Sequence, residues 1–338
     1  MTTTLEPFVT GLQSAEAQTH ENLTLVPLAG GEGHGDLDYL LAADAIEAGL
    51  LTVTEVDEDG SVSQLQATNK ADRPVLLLDG EELVGLKQNR ILNTTILLPP
   101  KSTTMLPVSC VEQGRWRHVG GRAKPGTISP GRLRRAKARA VLAALKEGGR
   151  PLSDQGEVWN DVKEYLCSLK ASSPTGAMHD AIKQRGADIE AFLEALPYPE
   201  PARGVFVAVN ERFAALDLFD RPSTLRAMWP RLLRGYAMDA LAEPKAKRRP
   251  AAEAKGPASV LGRLAMITCE RFPTPGLGED WRFTADDLTG HALVVEPVCV
   301  YLSAYPTDGA DEPAHPNEEA DRAGPIAPPS RRRRRWRG

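Results

Sequence analysis

Residues 75–116 read VLLLDGEELVGLKQNRILNTTILLPPKSTTMLPVSCVEQGRW. Three apolar runs in this stretch, Val75–Leu78, Ile91–Leu98 and Thr103–Ser109, have the length and β-branched content of buried strands. Turn residues separate them: Asp79-Gly80, a type I′ hairpin signal because Gly80 accepts positive φ freely, and Pro99-Pro100. Polar residues crowd the joints, with Asp79, Glu81, Glu82, Lys87, Gln88, Asn89, Arg90 and Asn93 in one group and Cys110, Glu112, Gln113, Arg115 and Trp116 in a second. A polar group taken from water without a partner costs roughly 1–3 kcal/mol. Polar residues between such strands therefore face solvent at turns or converge on a site, and convergence is the reading adopted.

Working outward, Leu23–Leu28 alternates as a strand, and Leu51–Val56 and Val62–Ala67 end at the turns Glu58-Asp59-Gly60 and Asn69-Lys70-Ala71-Asp72. One helix, around Leu40–Ile46, interrupts them. Short strands with turns between them predict an antiparallel β-sandwich or barrel-like unit over residues 21–116, after a flexible N-terminus at 1–20. The loop Gly30–Asp36 lacks both GxGxxG and GxxxxGK[ST] spacing and reads as a connector.

Past Gly114 the chain turns basic, with nine Lys and Arg between Arg115 and Arg139, and helical periodicity follows. Ser129-Pro130 signals a helix start, Ser129 supplying the cap. Val158–Leu169, Ile189–Leu196 and Leu225–Leu241 repeat with helical spacing, and Pro230 should kink the last or mark its first turn. Gly204–Val209 and Phe213–Phe219 form a hairpin, and strands near 281–283, 292–295 and 298–302 finish the folded part. The fold class is α+β: the N-terminal β unit, then a mixed helical and β-hairpin unit at 117–305 with a linker near 244–258. Residues 306–338 read as disordered, acidic first and Arg-rich after.

The 338 residues carry 41% apolar and 25% charged side chains and a net charge of −4, an ordinary soluble balance. No apolar run has membrane-spanning length, and the N-terminus lacks the pattern of a signal peptide. Four scattered cysteines without a CxxC pair make no disulfide scaffold, so a cytoplasmic setting is expected. Six histidines without HExxH or a nearby cysteine pair supply no zinc signature, so no metal and no cofactor is assigned.

The strings DGEELVG-KQNR-LNT and PVSCVEQGRW, with Ser173-Pro174-Thr175, Leu218-Phe219-Asp220 and Trp229-Pro230-Arg231-Leu232-Leu233, resemble a known family over about residues 20–305. It is the domain family named for its association with ADP-ribosylglycohydrolase and rhodanese–phosphatase proteins. The resemblance implies work on NAD-derived or ADP-ribosylated compounds.

On that footing the polar residues divide into roles. Glu81 and Glu112 are the candidate acid/base carboxylates; alternation sends Glu81 and Glu82 to opposite faces, one inward and one to solvent, and Glu81 is favoured as the inward one. Lys87, Arg90 and Arg115 would hold phosphate, Gln88, Asn89 and Asn93 would position ribose or amide groups, and Trp116 would stack a base. Cys110, with no histidine beside it in sequence, is more naturally a core residue than a nucleophile. Three functions follow: an enzyme acting on a nucleotide-sugar or ADP-ribosyl bond, a non-catalytic ADP-ribose sensor or adaptor, and nucleic-acid contact through the basic stretch and Arg331–Arg335. A charged hairpin end and a solvated helix face would account for the same residues without any ligand.

Overall fold

Along Gln64–Asn69 half-buried and buried residues alternate one by one, as they must in a strand with one face on a core. That strand lies between Leu51–Thr54 and Ser102–Cys110 in a six-stranded antiparallel sheet, continued by Arg90–Leu92, Glu81–Leu86 and Val119–Ile128. The two outer strands lie against each other, so the sheet nearly closes into a barrel. Val53, Leu65, Leu83, Leu86, Leu92 and Leu106 fill its interior. The computed structural model describes residues 3–31, 37–243 and 256–307. The fold class is α+β, with antiparallel sheets dominating the N-terminal region.

A second sheet has nine strands and draws on both ends of the chain: Leu23–Gly30 pairs with Gly204–Val209, and Val298–Pro306 with Arg212–Phe219. One face packs on the helix Pro222–Ala242 through Leu225, Trp229, Leu232 and Tyr236. The other carries Phe206, Leu218 and Trp281 against Val260 and Leu264 of the helix Pro257–Met266. A small three-stranded sheet, Ile96–Leu98, Val75–Leu77 and Leu40–Leu41, lies beside these.

Several expectations change. Residues 3–20, expected to be flexible, are packed instead: Leu5, Phe8 and Val9 are buried in the second core, and Leu12–Ser14 pairs with Leu23–Gly30. The boundary drawn at residue 116 is crossed by the pairing of Val119–Ile128 with Glu81–Leu86, and by that of Leu23–Gly30 with Gly204–Val209. The strand Val119–Ile128 was hidden in the basic stretch because its outward side chains are charged. Asp79-Gly80 makes a turn but no hairpin, since Val75–Leu77 and Glu81–Leu86 belong to different sheets. Gly80 has φ of 74° and Asp79 does not share its sign, which rules out a type I′ turn. Ile91–Leu98 is two strands rather than one, broken at Asn93-Thr94-Thr95 where the chain passes between sheets. Pro230 sits inside the helix Pro222–Ala242.

The helix Gly131–Lys146 is capped from outside. Ser129 donates to the Gly80 carbonyl at 2.7 Å, and the buried Asp239 of Pro222–Ala242 accepts from the Gly131 amide at 2.6 Å. The inner face of this helix joins barrel to sheet through charge: Arg134 makes a two-pronged pair with Asp217 at 2.8 and 3.0 Å, and Lys137 reaches Asp79 at 2.8 Å. Arg282 and Asp280 pair beside them, and His291 bridges Thr95 and Ser303. Three cations thus face three carboxylates in the interior, the geometry that lets charges persist there. The loop Gly30–Asp36, the linker near 244–258 and the tail from 306 fall mostly outside the described residues.

Candidate functional site

Arg90 follows from its strand. It shares a face with Leu92, two residues on, and Leu92 is barrel core, so Arg90 also points inward. Its guanidinium is wholly buried, donating to the carbonyls of Val62 at 3.1 Å and Ser61 at 3.2 Å. Its Nη1 has no partner among the described residues. Burial pulls the Arg90 pKa below the usual arginine range, although neighbouring Cys110 and Glu55 oppose this. The Trp116 ring lies 5.6 Å from the Arg90 guanidinium and 5.5 Å from the Lys87 ammonium, and it is 47% exposed. Lys87 also donates from Nζ to the Glu58 carbonyl and, by its backbone, to Glu55 Oε1 at 2.8 Å. Glu55 is buried, and its second oxygen, Oε2, has no partner among the described residues.

This is the mouth of the barrel, where small-molecule sites commonly form. An unpartnered donor, an unpartnered carboxylate oxygen, a second cation and a half-exposed indole meet there. The segment Glu58–Val62 closes over it, lending its carbonyls to Lys87 and Arg90. Gly60 makes the closure possible: at φ of 71° a Cβ would stand 2.9 Å from Lys87 Cδ and 3.1 Å from Glu55 Oε2.

Lys87, Arg90 and Trp116 are therefore brought together as the sequence suggests, but the other candidates are not part of the mouth. Glu112 is saturated: Arg115 donates to both oxygens at 2.8 and 2.6 Å, Thr175 at 2.9 Å and the Asn89 amide at 3.1 Å. Burial alone would raise its pKa, but Arg115, the Asn89 amide and Thr175 outweigh that and hold it below the usual carboxylate range. Arg115 spends its remaining N–H groups on the carbonyls of Gly85, Leu86 and Arg117 and on Asn89 Oδ1. Gln88 binds the Glu112 carbonyl, and Asn93 binds the Pro151 carbonyl and accepts from Ser109. Gln88, Asn89, Glu112 and Arg115 form a clamp holding the 85–89 turn onto the 111–115 loop, while Asn93 ties a separate joint. Cys110 is buried, its thiol donates to the Glu112 carbonyl, and desolvation raises its pKa, so it is no ready thiolate.

Neither Glu81 nor Glu82 faces solvent. Glu81 accepts from Arg231 at 2.6 Å and from the Leu78 amide at 3.0 Å, a tie between the barrel and the helix Pro222–Ala242. Glu82 turns to the opposite side, where its Oε2 lies 3.0 Å from His179 Nδ1 and its Oε1 has no partner. Gly126 leaves room for that carboxylate, since a Cβ there would stand 2.5 Å from Glu82 Oε2. The hydrogen bond that His179 donates to Glu82 raises the His179 pKa.

Sequence reasoning missed Glu55 and His179. Glu55 sits at the end of a predicted strand with no motif around it, and only strand register brings it under Lys87. The nearest sequence signal was the turn Glu58-Asp59-Gly60, whose tight glycine marks the closing segment. Two clefts lie elsewhere, one of 270 Å³ beside Tyr39, Arg221 and Thr224 and one of 400 Å³ beside Leu145, Arg150 and Phe272. Among the described residues no three His, Cys, Asp or Glu side chains are grouped to hold a metal ion, and no helix is long and apolar enough to cross a membrane.

Among known families, the model of the ARG and Rhodanese-Phosphatase-superfamily-associated Protein domain (ARPP-1) matches residues 11–305. No curated protein and no solved structure matches the chain.

Proposed function

The chain belongs to the ARG and Rhodanese-Phosphatase-superfamily-associated Protein domain family, and from that premise we propose that the barrel mouth binds an NAD-derived or ADP-ribosyl ligand. Arg90 and Lys87 take the pyrophosphate, Glu55 accepts a ribose hydroxyl and Trp116 stacks the base. The observation that carries this reading is the buried Arg90 guanidinium with a donor to spare beneath a half-exposed tryptophan. A buried unpaired donor is costly, and a phosphate oxygen is the partner that a guanidinium fork fits best. The family name supplies the rest, through its link to ADP-ribosylglycohydrolases.

Binding needs the segment Glu58–Val62 to lift, so that phosphate oxygens replace the carbonyls of Glu58, Ser61 and Val62 on the two cations. The test is calorimetric titration with ADP-ribose and NAD. Saturable binding should weaken at least about tenfold in Trp116→Ala, a surface change, and in Arg90→Lys, which keeps the charge but loses the fork. A flat titration with every nucleotide tried would end the proposal.

A catalytic version has one observation in its favour: Glu55 Oε2 is an unengaged acceptor, whereas Glu112 and Glu81 are occupied. In that version Glu55 removes a proton from a hydroxyl or water at the ribose. Glu55→Gln should then keep binding and abolish product by mass spectrometry; binding without product in the unaltered protein makes it a sensor or adaptor.

A further inference from the structure

Between Gly114 and Lys146 the chain has seven arginines, three lysines and not one Asp or Glu. The fold sorts these cations. Arg115, Arg134 and Lys137 turn inward onto Glu112, Asp217 and Asp79. Arg132 pairs with Glu164 and Lys146 with Glu270, and Arg135 and Arg139 are also engaged. Arg117, Arg122 and Lys124 remain, exposed and without an ion pair among the described residues.

Arg117 follows Trp116 directly, and Arg122 and Lys124 come six and eight residues after it on the same strand-forming stretch. Arg122 and Lys124 flank the buried Ala123, whose side chain joins the barrel core, so both project from the outer face. Val119, 52% exposed, and the exposed pair Gly120-Gly121 lie between them and the indole. No packing demands a glycine at 121, where a Cβ would meet nothing within 4 Å. A solvating surface would mix charge signs and hide its tryptophan. The stretch from Trp116 to Lys124 does neither, being an aromatic platform followed by single-sign charge along an open backbone; the exposed acids Asp57, Glu58 and Asp59 lie across the mouth, on and beside the segment that lifts.

We infer that the barrel mouth takes its nucleotide as one unit of a single-stranded nucleic acid, whose following phosphates run along Arg117, Arg122 and Lys124. This rests on the barrel-mouth reading and extends it from a free nucleotide to one carried on a strand. A base–aromatic stack needs a free base face, which a duplex does not offer, while each cation adds salt-dependent affinity without reading sequence.

The test is fluorescence anisotropy of the full chain with labelled RNA of about twelve nucleotides, single-stranded or duplex, beside free ADP-ribose. Single strands should bind more tightly than both duplex and free nucleotide, and from about 50 to about 200 mM salt lose about 20-fold more in affinity than free ADP-ribose does, as three added phosphate contacts dictate. Arg122→Ala with Lys124→Ala should weaken strand binding and flatten its salt dependence while leaving free ADP-ribose affinity unchanged. Replacing Arg331–Arg335 by alanine should leave strand binding in place. A strand bound no better than free nucleotide, indifference to the double substitution, or loss with the tail arginines overturns the inference while the nucleotide site stands; loss of ADP-ribose and strand alike overturns both.

Discussion

The carboxylate of Glu112 shows how a side chain can have the chemistry of a catalyst and the surroundings of a rivet. Four donors reach it, and two of them come from a guanidinium that has no other carboxylate among the described residues. Breaking one half of a buried ion pair strands the other charge, which costs about 3 kcal/mol. Glu112→Gln should accordingly lower stability by that amount in urea melts while leaving ADP-ribose affinity close to that of the parent. An unchanged melt with altered affinity or turnover would return Glu112 to the site. Gly80 is a second case, since it has φ of 74° and a Cβ there would lie 2.7 Å from Arg134 Cγ and Cδ. Gly80→Ala should cost about 2 kcal/mol, from left-handed backbone and a displaced buried guanidinium together. A melt within a few tenths of the parent would remove both reasons.

At the scale of elements, helix Gly131–Lys146 has basic residues all along it, no acidic residue in its first turn and no cap of its own. Asp239, from a helix more than a hundred residues later in the chain, supplies the missing acceptor and also accepts from Tyr165. Asp239→Ala should cost about 2 kcal/mol and speed amide exchange at Gly131 and Arg132, while Ser129→Ala should leave those amides protected. If the two substitutions behaved alike, Ser129 would be the cap after all. Legibility at this scale was uneven. Gly204–Val209 was readable to the residue, because an apolar run between turns has one good conformation. The Asp79-Gly80 turn was visible, but its partners were not: turn chemistry fixes a local chain reversal and says nothing about which sheet each arm joins. Val119–Ile128 escaped because an edge strand with charged outward residues has the composition of a solvated loop.

For the whole molecule, pH tests the interior charge network. Burial, with Arg282 nearby, lowers the His291 pKa to about 4, though Asp79 and Asp280 oppose this. Unfolded chain takes up that proton near pH 6.5 and folded protein does not, so stability falls as pH drops from about 6.5 to about 4, by about 3 kcal/mol. His179 acts in the other direction. Its pKa is raised by Glu82, so its contribution is complete below about 6.5 and fades as pH climbs through the higher folded value. Melting temperature against pH should therefore decline on both sides. His291→Gln should flatten the acid limb and His179→Gln the alkaline one; an acid limb unchanged in His291→Gln would assign that loss to carboxylates alone.

Local pattern by itself determined that this chain is α+β, that antiparallel strands lead and that polar residues collect at the joints after Leu78 and Ser109, because hydrophobic period and turn residues act over a few neighbours. Tertiary structure alone decided which polar residues meet. Glu55 accepts from the Lys87 amide while Glu81 goes to Arg231, Glu82 to His179 and Glu112 to Arg115, since strand register and helix docking set these pairings across distances in sequence that no local preference spans.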